Sequence, residues 1–381
     1  MPVGDLSTLF VWAAATAFTV ALFGYSVALA RIADAAARPR QAARTAKVAA
    51  ATAAKTANRQ RVPALAGAGA SSSYASALPP TPTDVEPAAG AASAPVATAA
   101  RPAGTGRGSG AKAEGIARST HWLGIALLVI GIVLRGVAAG RWPTANMYEF
   151  SLVGVLVATS VLAVVQRRRI IAFVGVVVTA IAVLALVLAL NAFFVRADAV
   201  QPALQSYWLV IHVGVAISAT GVFTVALGTS VTQLLSAARA ENRSRLATPW
   251  GRADALRRPL VGWRVTGPRF AWLKQVPDAL HLEALSFRLN AVGFVLWTFT
   301  LIAGSIWAEH AWGRYWNWDP KEVGTFVVWV VYAAYLHART TRGWSGRRAA
   351  YLVFAGYAAV LANFTVVNLF VAGLHSYSGL R

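Results

Sequence analysis

The chain has 381 residues, of which 57% are hydrophobic and 13% charged, with no cysteine and a formal net charge of +21. Soluble globular domains carry about 45–50% apolar and about 25% charged residues, so a water-soluble domain is excluded. A nucleic-acid partner, the usual reading of so basic a chain, goes with it, because long stretches here hold no charge at all. Without cysteine there are no disulfides, thiolate metal sites, iron–sulfur clusters or cysteine nucleophiles, and cofactor chemistry is left to six histidines and a few carboxylates.

Windows of about 20 apolar residues, the length needed to cross the hydrocarbon core, predict eight spans in chain order. They run from Leu6 to Ala30, Thr120 to Ala139, Phe150 to Gln166, Ile170 to Leu190, Tyr207 to Leu235, Leu289 to Ser305, Val323 to His337 and Ala349 to Val371. The expected fold is all-α, a polytopic membrane protein with about eight transmembrane helices. No basic residue precedes the first span and Arg31 and Arg38 follow it, so it reads as an uncleaved helix entering with its N-terminus outside. Arg167–Arg169, the cluster between Arg239 and Arg288, and Arg339, Arg342, Arg347 and Arg348 then fall on the cytoplasmic side, with both termini extracytoplasmic. The whole positive excess lies on that side, and the opposite face is close to neutral. The charge thus orients the chain in the plasma membrane, with lipid as a partner and the working face external.

Three domains follow: an N-terminal helix over 1–30, a linker over 31–118, and a membrane body over 119–381. The linker is rich in Ala, Pro, Gly, Ser and Thr and is expected to be disordered, with transient helix in the Ala-rich run from Gln41 to Ala57. A cytoplasmic insertion over 236–283 carries Trp250, Trp263 and Trp272 among arginines. It reads equally as an amphipathic segment on the inner leaflet and as an irregular insertion.

The external connections carry the chemistry. Over 307–322, Trp307, Trp312, Tyr315, Trp316 and Trp318 crowd into twelve residues, followed by Asp319-Pro320-Lys321-Glu322. An interfacial aromatic belt needs one or two aromatics per helix end; five in one connection suit a shelf for a large planar ligand. His212, near the outer end of span five, and His375, about one turn past span eight, are at matching depth beside this loop. Two imidazoles so placed fit the two axial faces of an iron porphyrin. Arg135, Arg141 and Arg314 are either partners for porphyrin propionates or snorkelling anchors. His337 ends span seven at the cytoplasmic side, as an intramembrane functional group or as an interfacial histidine. His121 is a weaker instance; His310 lies in the aromatic loop, and His281 is expected to be solvated.

The run Trp-Gly-Arg-Tyr-Trp-Asn-Trp-Asp-Pro-Lys-Glu over 312–322 resembles the tryptophan-rich signature of the haem-handling proteins of cytochrome c maturation. Tyr335-Leu-His337, the segment 342–351 and Gly373-Leu-His375-Ser-Tyr377 resemble the CcsA/ResC branch, labelled CcsB in some bacteria. The resemblance is loose over 120–235 and close over 280–381. It implies that His212 and His375 are external haem ligands, that His337 helps to hold haem in the membrane, and that Trp307, Trp312, Trp316, Trp318 and Asp319 form the haem platform. Asn146 and Glu149, in an Asn-x-Tyr-Glu element, and Arg135 join the cofactor-binding set. The implied cargo is haem b, presented for covalent attachment to the Cys-x-x-Cys-His motif of an apocytochrome c. The implied setting is a haem lyase complex with a ResB-type partner that bears a large external domain and supplies the ligand opposite His337, with His121 as a fallback. The rival readings are a haem exporter or chaperone without synthase activity, and a non-haem transporter gated by the Trp loop.

Overall fold

The computed structural model describes residues 2–60, 105–167, 172–197, 206–274 and 276–375. Among these, eight long helices and no strand are found: α1 (Val3–Gln60), α2 (Thr105–Ala139), α3 (Met147–Val165), α4 (Ala172–Asn191), α5 (Leu209–Ala240), α6 (Ala279–Trp312), α7 (Pro320–Thr340) and α8 (Arg347–Phe370). Seven of them, all but α7, are long and apolar enough to cross a membrane. The exception differs from the expectation of eight for a compositional reason: α7 carries Lys321, Glu322, His337 and Arg339 near its ends and Trp329, Tyr332 and Tyr335 along its length. Its contacts nonetheless lay it antiparallel along α6. The Trp297 indole donates to the Thr325 carbonyl (3.0 Å), Trp329 donates to Thr298 Oγ1 (2.9 Å), and Arg339 pairs with Glu283. One face of α7, with Val328, Tyr332 and Tyr335, is buried against protein, and a face so covered need not satisfy the apolarity of a lipid-facing one.

The linker also departs from expectation. Helix α1 continues through residues 31–60, and α2 begins at Thr105 rather than Thr120. Alanine has the highest helix propensity of any residue, and the 41–57 run is dominated by it. Residues 61–104 lie outside the described segments. The second part of α1, from Arg38, belongs to a unit separate from the membrane body.

Two packed halves make up that body. Val11, Phe18, Leu128, Leu152 and Leu186 bring α1 to α4 together, and Phe223, Trp297, Tyr332, Val353 and Tyr357 do the same for α5 to α8. Leu162, Val178, Val225 and Leu282 join the halves. Within the second half Phe223 stacks on Tyr332 at 3.8 Å between centroids. The approach is that close because residue 293 is glycine: a Cβ there would lie 2.4 Å from the Phe223 ring.

The ends of the 236–283 insertion continue α5 to Ala240 and begin α6 at Ala279, and the part between them is irregular: a series of short 3₁₀ turns and a four-residue helix, anchored where Trp272, 4% exposed, stacks on Phe173 of α4 at 4.8 Å. Trp250 and Trp263 stay exposed. Arg347 pairs with Glu241 at 3.1 Å, so the basic ends of α5, α7 and α8 gather at one end of the bundle and the Trp-rich connection lies at the other.

A candidate ligand cavity at the Trp-rich end

At the Trp-rich end α3, α5, α6, α7 and α8 surround a cavity with about 1180 Å³ of empty space, counted to its mouth. Its wall includes His212 and His375, Trp307, Tyr315 and Trp316, and Asn146. The mixture of apolar wall with a few polar groups is that of a small-molecule site.

The two histidines are presented in the same way. His212 sits in a π-helical turn, Leu209–Val213, and its Nδ1 lies 2.9 Å from the Thr300 carbonyl. A carbonyl only accepts, so Nδ1 carries the proton and Nε2 carries the lone pair. Gly304 makes room for the ring: a Cβ at that position would lie 2.7 Å from His212 Cε1. Gly304→Val is therefore expected to push the imidazole out of place, abolishing ligand binding at His212 while leaving helix content by circular dichroism unchanged; retention of wild-type binding would contradict this packing.

His375 Nδ1 lies 2.7 Å from Asp319 Oδ2, which fixes the same tautomer and, through a carboxylate, makes the ring a better donor. Asp319 is 5% exposed and acts as a hub. It is the N-cap of α7, with Glu322 completing a capping box, and it accepts from the backbone N–H of Lys321 (3.0 Å) and of Leu374. Burial alone would raise its carboxyl, but the bonds from His375, Lys321 and Leu374 outweigh it and hold the group below the usual carboxylate value. Gly373 must be small for the same contact, since a Cβ there would come within 2.5 Å of Asp319 Oδ1.

The wall also holds buried polar atoms with no protein partner: Trp307 Nε1, Thr144 Oγ1, Glu322 Oε1 and Asn363 Oδ1. Buried polar groups are almost always satisfied, so four of them around one cavity point to a ligand or water that completes them. A second π-helical turn, Asn363–Val367, also contributes to the cavity wall. Lys321 Nζ donates to the Asn363 carbonyl (2.8 Å) and to Asn368 Oδ1 (2.9 Å), bracing that turn from α7. Single π turns of this kind recur at functional sites.

The other expected site residues brace the wall or stand away from it. Trp312 packs edge-on against His375 at 5.0 Å between centroids, behind the cavity wall. Trp318 is 78% exposed and holds a left-handed backbone, φ +57°, beside the Asp319 cap, while its ring meets Trp316 edge-on at 5.8 Å. Asn146 caps α3 by accepting from the Glu149 N–H (2.9 Å). Arg135 and Glu149 do not line the cavity. Glu149 is fully buried and takes Arg135 Nε (3.0 Å), Arg141 Nη1 (2.8 Å) and the Ala145 N–H (2.9 Å), and Arg135 Nη2 also reaches the Val195 carbonyl (2.7 Å). With its donors spent in this way, Arg135 is a brace for the connections around it rather than a ligand group. Arg135→Leu, which leaves Glu149 paired with Arg141 alone, is expected to destabilise the protein by about 1.5–3 kcal/mol without altering the spectrum of any bound chromophore, as thermal unfolding and absorbance would show. Arg314 bonds to Asn317 Oδ1 (3.0 Å) on the exposed loop.

His337 is exposed at the far end of α7, 3.4 Å from Thr341 Oγ1, and lies roughly 27 Å along the helix from Asp319 at 1.5 Å per residue. His121 is buried between α1 and α3. His310 and His281 are exposed.

A family model described as "Cytochrome C assembly protein" matches residues 144–375. The chain belongs to the cytochrome c assembly protein family. Curated relatives support this along most of their length. The "Cytochrome c biogenesis protein CcsA" of Prochlorococcus marinus (strain SARG) is 32% identical over 265 residues, covering 66% of this chain and 80% of that protein. That of Synechococcus sp. (strain RCC307) is 36% identical over 266 residues, covering 66% and 81%. Among solved structures, "Cytochrome c Heme Lyase CcmF" aligns with a TM-score of 0.48 at 15% identity, covering 66% of this chain and 41% of that one. The role of the chain is thus cytochrome c assembly, carried out by a multi-pass membrane protein. In this family member the matched region starts at Thr144, on the cavity wall, and stops at His375, on the same wall; α1 and α2 fall outside it.

Cavity-lining residues not singled out from the sequence include Thr144, Thr300, Gly304, Lys321, Glu322 and Asn363. Asp-x-x-Glu over 319–322 reads as a capping box, and Asn363, a polar residue in an apolar run, reads as a functional candidate; both were there to be found. Thr300 acts through a backbone carbonyl and has no side-chain signal.

Proposed function

We propose that this protein holds haem b as its cargo between His212 and His375, on the external face of the plasma membrane, and presents it to an apocytochrome c. The observation that carries the reading is that two imidazoles, each with Nδ1 committed to an acceptor, line one aromatic-walled cavity. A planar macrocycle with an iron centre uses those features together: lone pairs on Nε2 for the metal and rings to pack on its faces. Haem supplies the vinyl groups to which the two thiols of a Cys-x-x-Cys-His motif add. The protein's part is orientation. Thr300 and Asp319 keep the imidazoles in the ligating tautomer, and Trp307, Trp316 and Tyr315 exclude water from the cavity wall. The exposed Trp318, at a strained backbone position beside Asp319, offers a surface for the incoming apocytochrome.

His337 sits at the opposite end of α7 with its ring exposed, which suits a ligand completed by another chain. We assign it to haem on its way outward, with a ResB-type partner supplying the opposite ligand. His121 is already bonded to the Thr159 carbonyl inside the bundle. The cytoplasmic side of this arrangement is the basic end, by the positive-inside bias.

The test is co-expression with the partner and a reporter apocytochrome in a host without its own maturation system. Covalent haem on the reporter is expected, and purified protein should carry a Soret band. A Soret band with no covalent product would leave an exporter or chaperone; no Soret band would favour a non-haem transporter.

A further inference from the structure

A second cavity, with about 370 Å³ of empty space, lies where α1, α2 and α3 meet at the basic end of the bundle, and it is polar. Its floor is Tyr25, His121 and Gln166, which are 1%, 1% and 4% exposed. Tyr25 donates to Gln166 Oε1 (2.9 Å), and His121 Nε2 faces the Thr159 carbonyl at 3.0 Å. The carbonyl requires the proton on Nε2, so Nδ1 is an acceptor. That Nδ1 and Gln166 Nε2, a donor, are both buried without a protein partner. Leaving such atoms unpaired is costly, so the cavity calls for a group that donates to one and accepts from the other. A hydroxyl does both.

The mouth adds a sign. Arg118 and Arg167 line it and, among the described residues, no carboxylate does. Beside it, Trp122, Leu123 and Val164 are 46%, 52% and 60% exposed, an apolar surface that in a membrane protein faces acyl chains. Basic pockets between helices at this level take lipid headgroups.

We propose that this cavity binds the headgroup of an anionic glycerophospholipid that bears a free hydroxyl. Its phosphate lies between Arg118 and Arg167, and its hydroxyl donates to His121 Nδ1 and accepts from Gln166 Nε2. The site is independent of whatever the outer cavity binds, and it ties α1 and α2, which lie outside the matched family region, to the membrane's inner leaflet.

Native mass spectrometry of the full-length protein from vesicles of mixed composition tests it. Phosphatidylglycerol should be retained about tenfold better than phosphatidylcholine, the size expected of a charge-assisted contact. Phosphatidylmethanol, which has the charge but no hydroxyl, should be intermediate. The double variant Arg118→Gln/Arg167→Gln, which alters only exposed side chains, should lose the preference for phosphatidylglycerol over phosphatidylcholine. Gln166→Leu should lose the preference for phosphatidylglycerol over phosphatidylmethanol. Equal retention of phosphatidylglycerol and phosphatidylcholine by the wild type overturns the proposal, since the cavity then holds water alone. So does displacement of the lipid by millimolar inorganic phosphate, which would identify a free-phosphate site.

Discussion

Replacing His212 or His375 by glycine is expected to stop cytochrome c assembly almost completely, and millimolar imidazole should restore it. Each ring is the cavity's only contribution from its element that carries a lone pair suited to iron, and each is held by a partner that cannot substitute for it, a backbone carbonyl in one case and a carboxylate in the other. Removing the side chain leaves a hole of imidazole shape, which is why the free base should rescue. Neighbours of the hole stay in place: Trp307, at 5.7 Å from the His212 ring, and Trp312, at 5.0 Å from that of His375, are anchored by their own helix. Loss without rescue would indicate a structural role. Reporter cytochrome measured by peroxidase stain, with and without imidazole, separates the two.

The second large effect belongs to Asp319. Asp319→Ala removes the cap of α7 and the tether of the 373–375 segment together. Loss of an N-cap costs about 0.5–2 kcal/mol, and loss of a carboxylate that orients a ligating histidine costs about 10–100-fold in metal affinity. Asp319→Asn keeps an acceptor for the cap but loses the charge, so it should retain stability and still bind haem less tightly. The same group predicts an acid limit. Its folded carboxyl titrates below the ordinary value, so the tether is fully present above about pH 4, the ordinary aspartate value, and is lost as the pH falls through the lower folded value. Haem release on acidification should therefore lose its Asp319-dependent phase in Asp319→Asn, as a pH titration of the Soret band would show.

The membrane body was legible because its signals are physical and long: runs of about 20 apolar residues, and arginine at alternate connections. The cavity's two histidines and its aromatic loop were legible because they crowd into short external segments against an otherwise apolar chain. Two things were not. The 31–60 stretch looks like linker by composition, yet it is helical, as alanine content allows. Arg135 offers the right charge for a carboxylate ligand, but the partner that consumes it, Glu149, is fourteen residues away in a bend whose geometry no local pattern encodes. The lesson from Arg135 and Asp319 is the same: the pattern picks out residue types, and the fold decides which of them face the ligand and which hold those that do.

Ligation of haem by His212 and His375 is tested most directly by the electron paramagnetic resonance spectrum of the ferric protein purified from membranes. A low-spin signal of bis-imidazole ligation is expected in the wild type. Conversion to high-spin is expected in His212→Gly and in His375→Gly, with return to low-spin on adding imidazole. A wild-type signal retained in both variants would show that the iron is held by other groups and would contradict the assignment of this cavity.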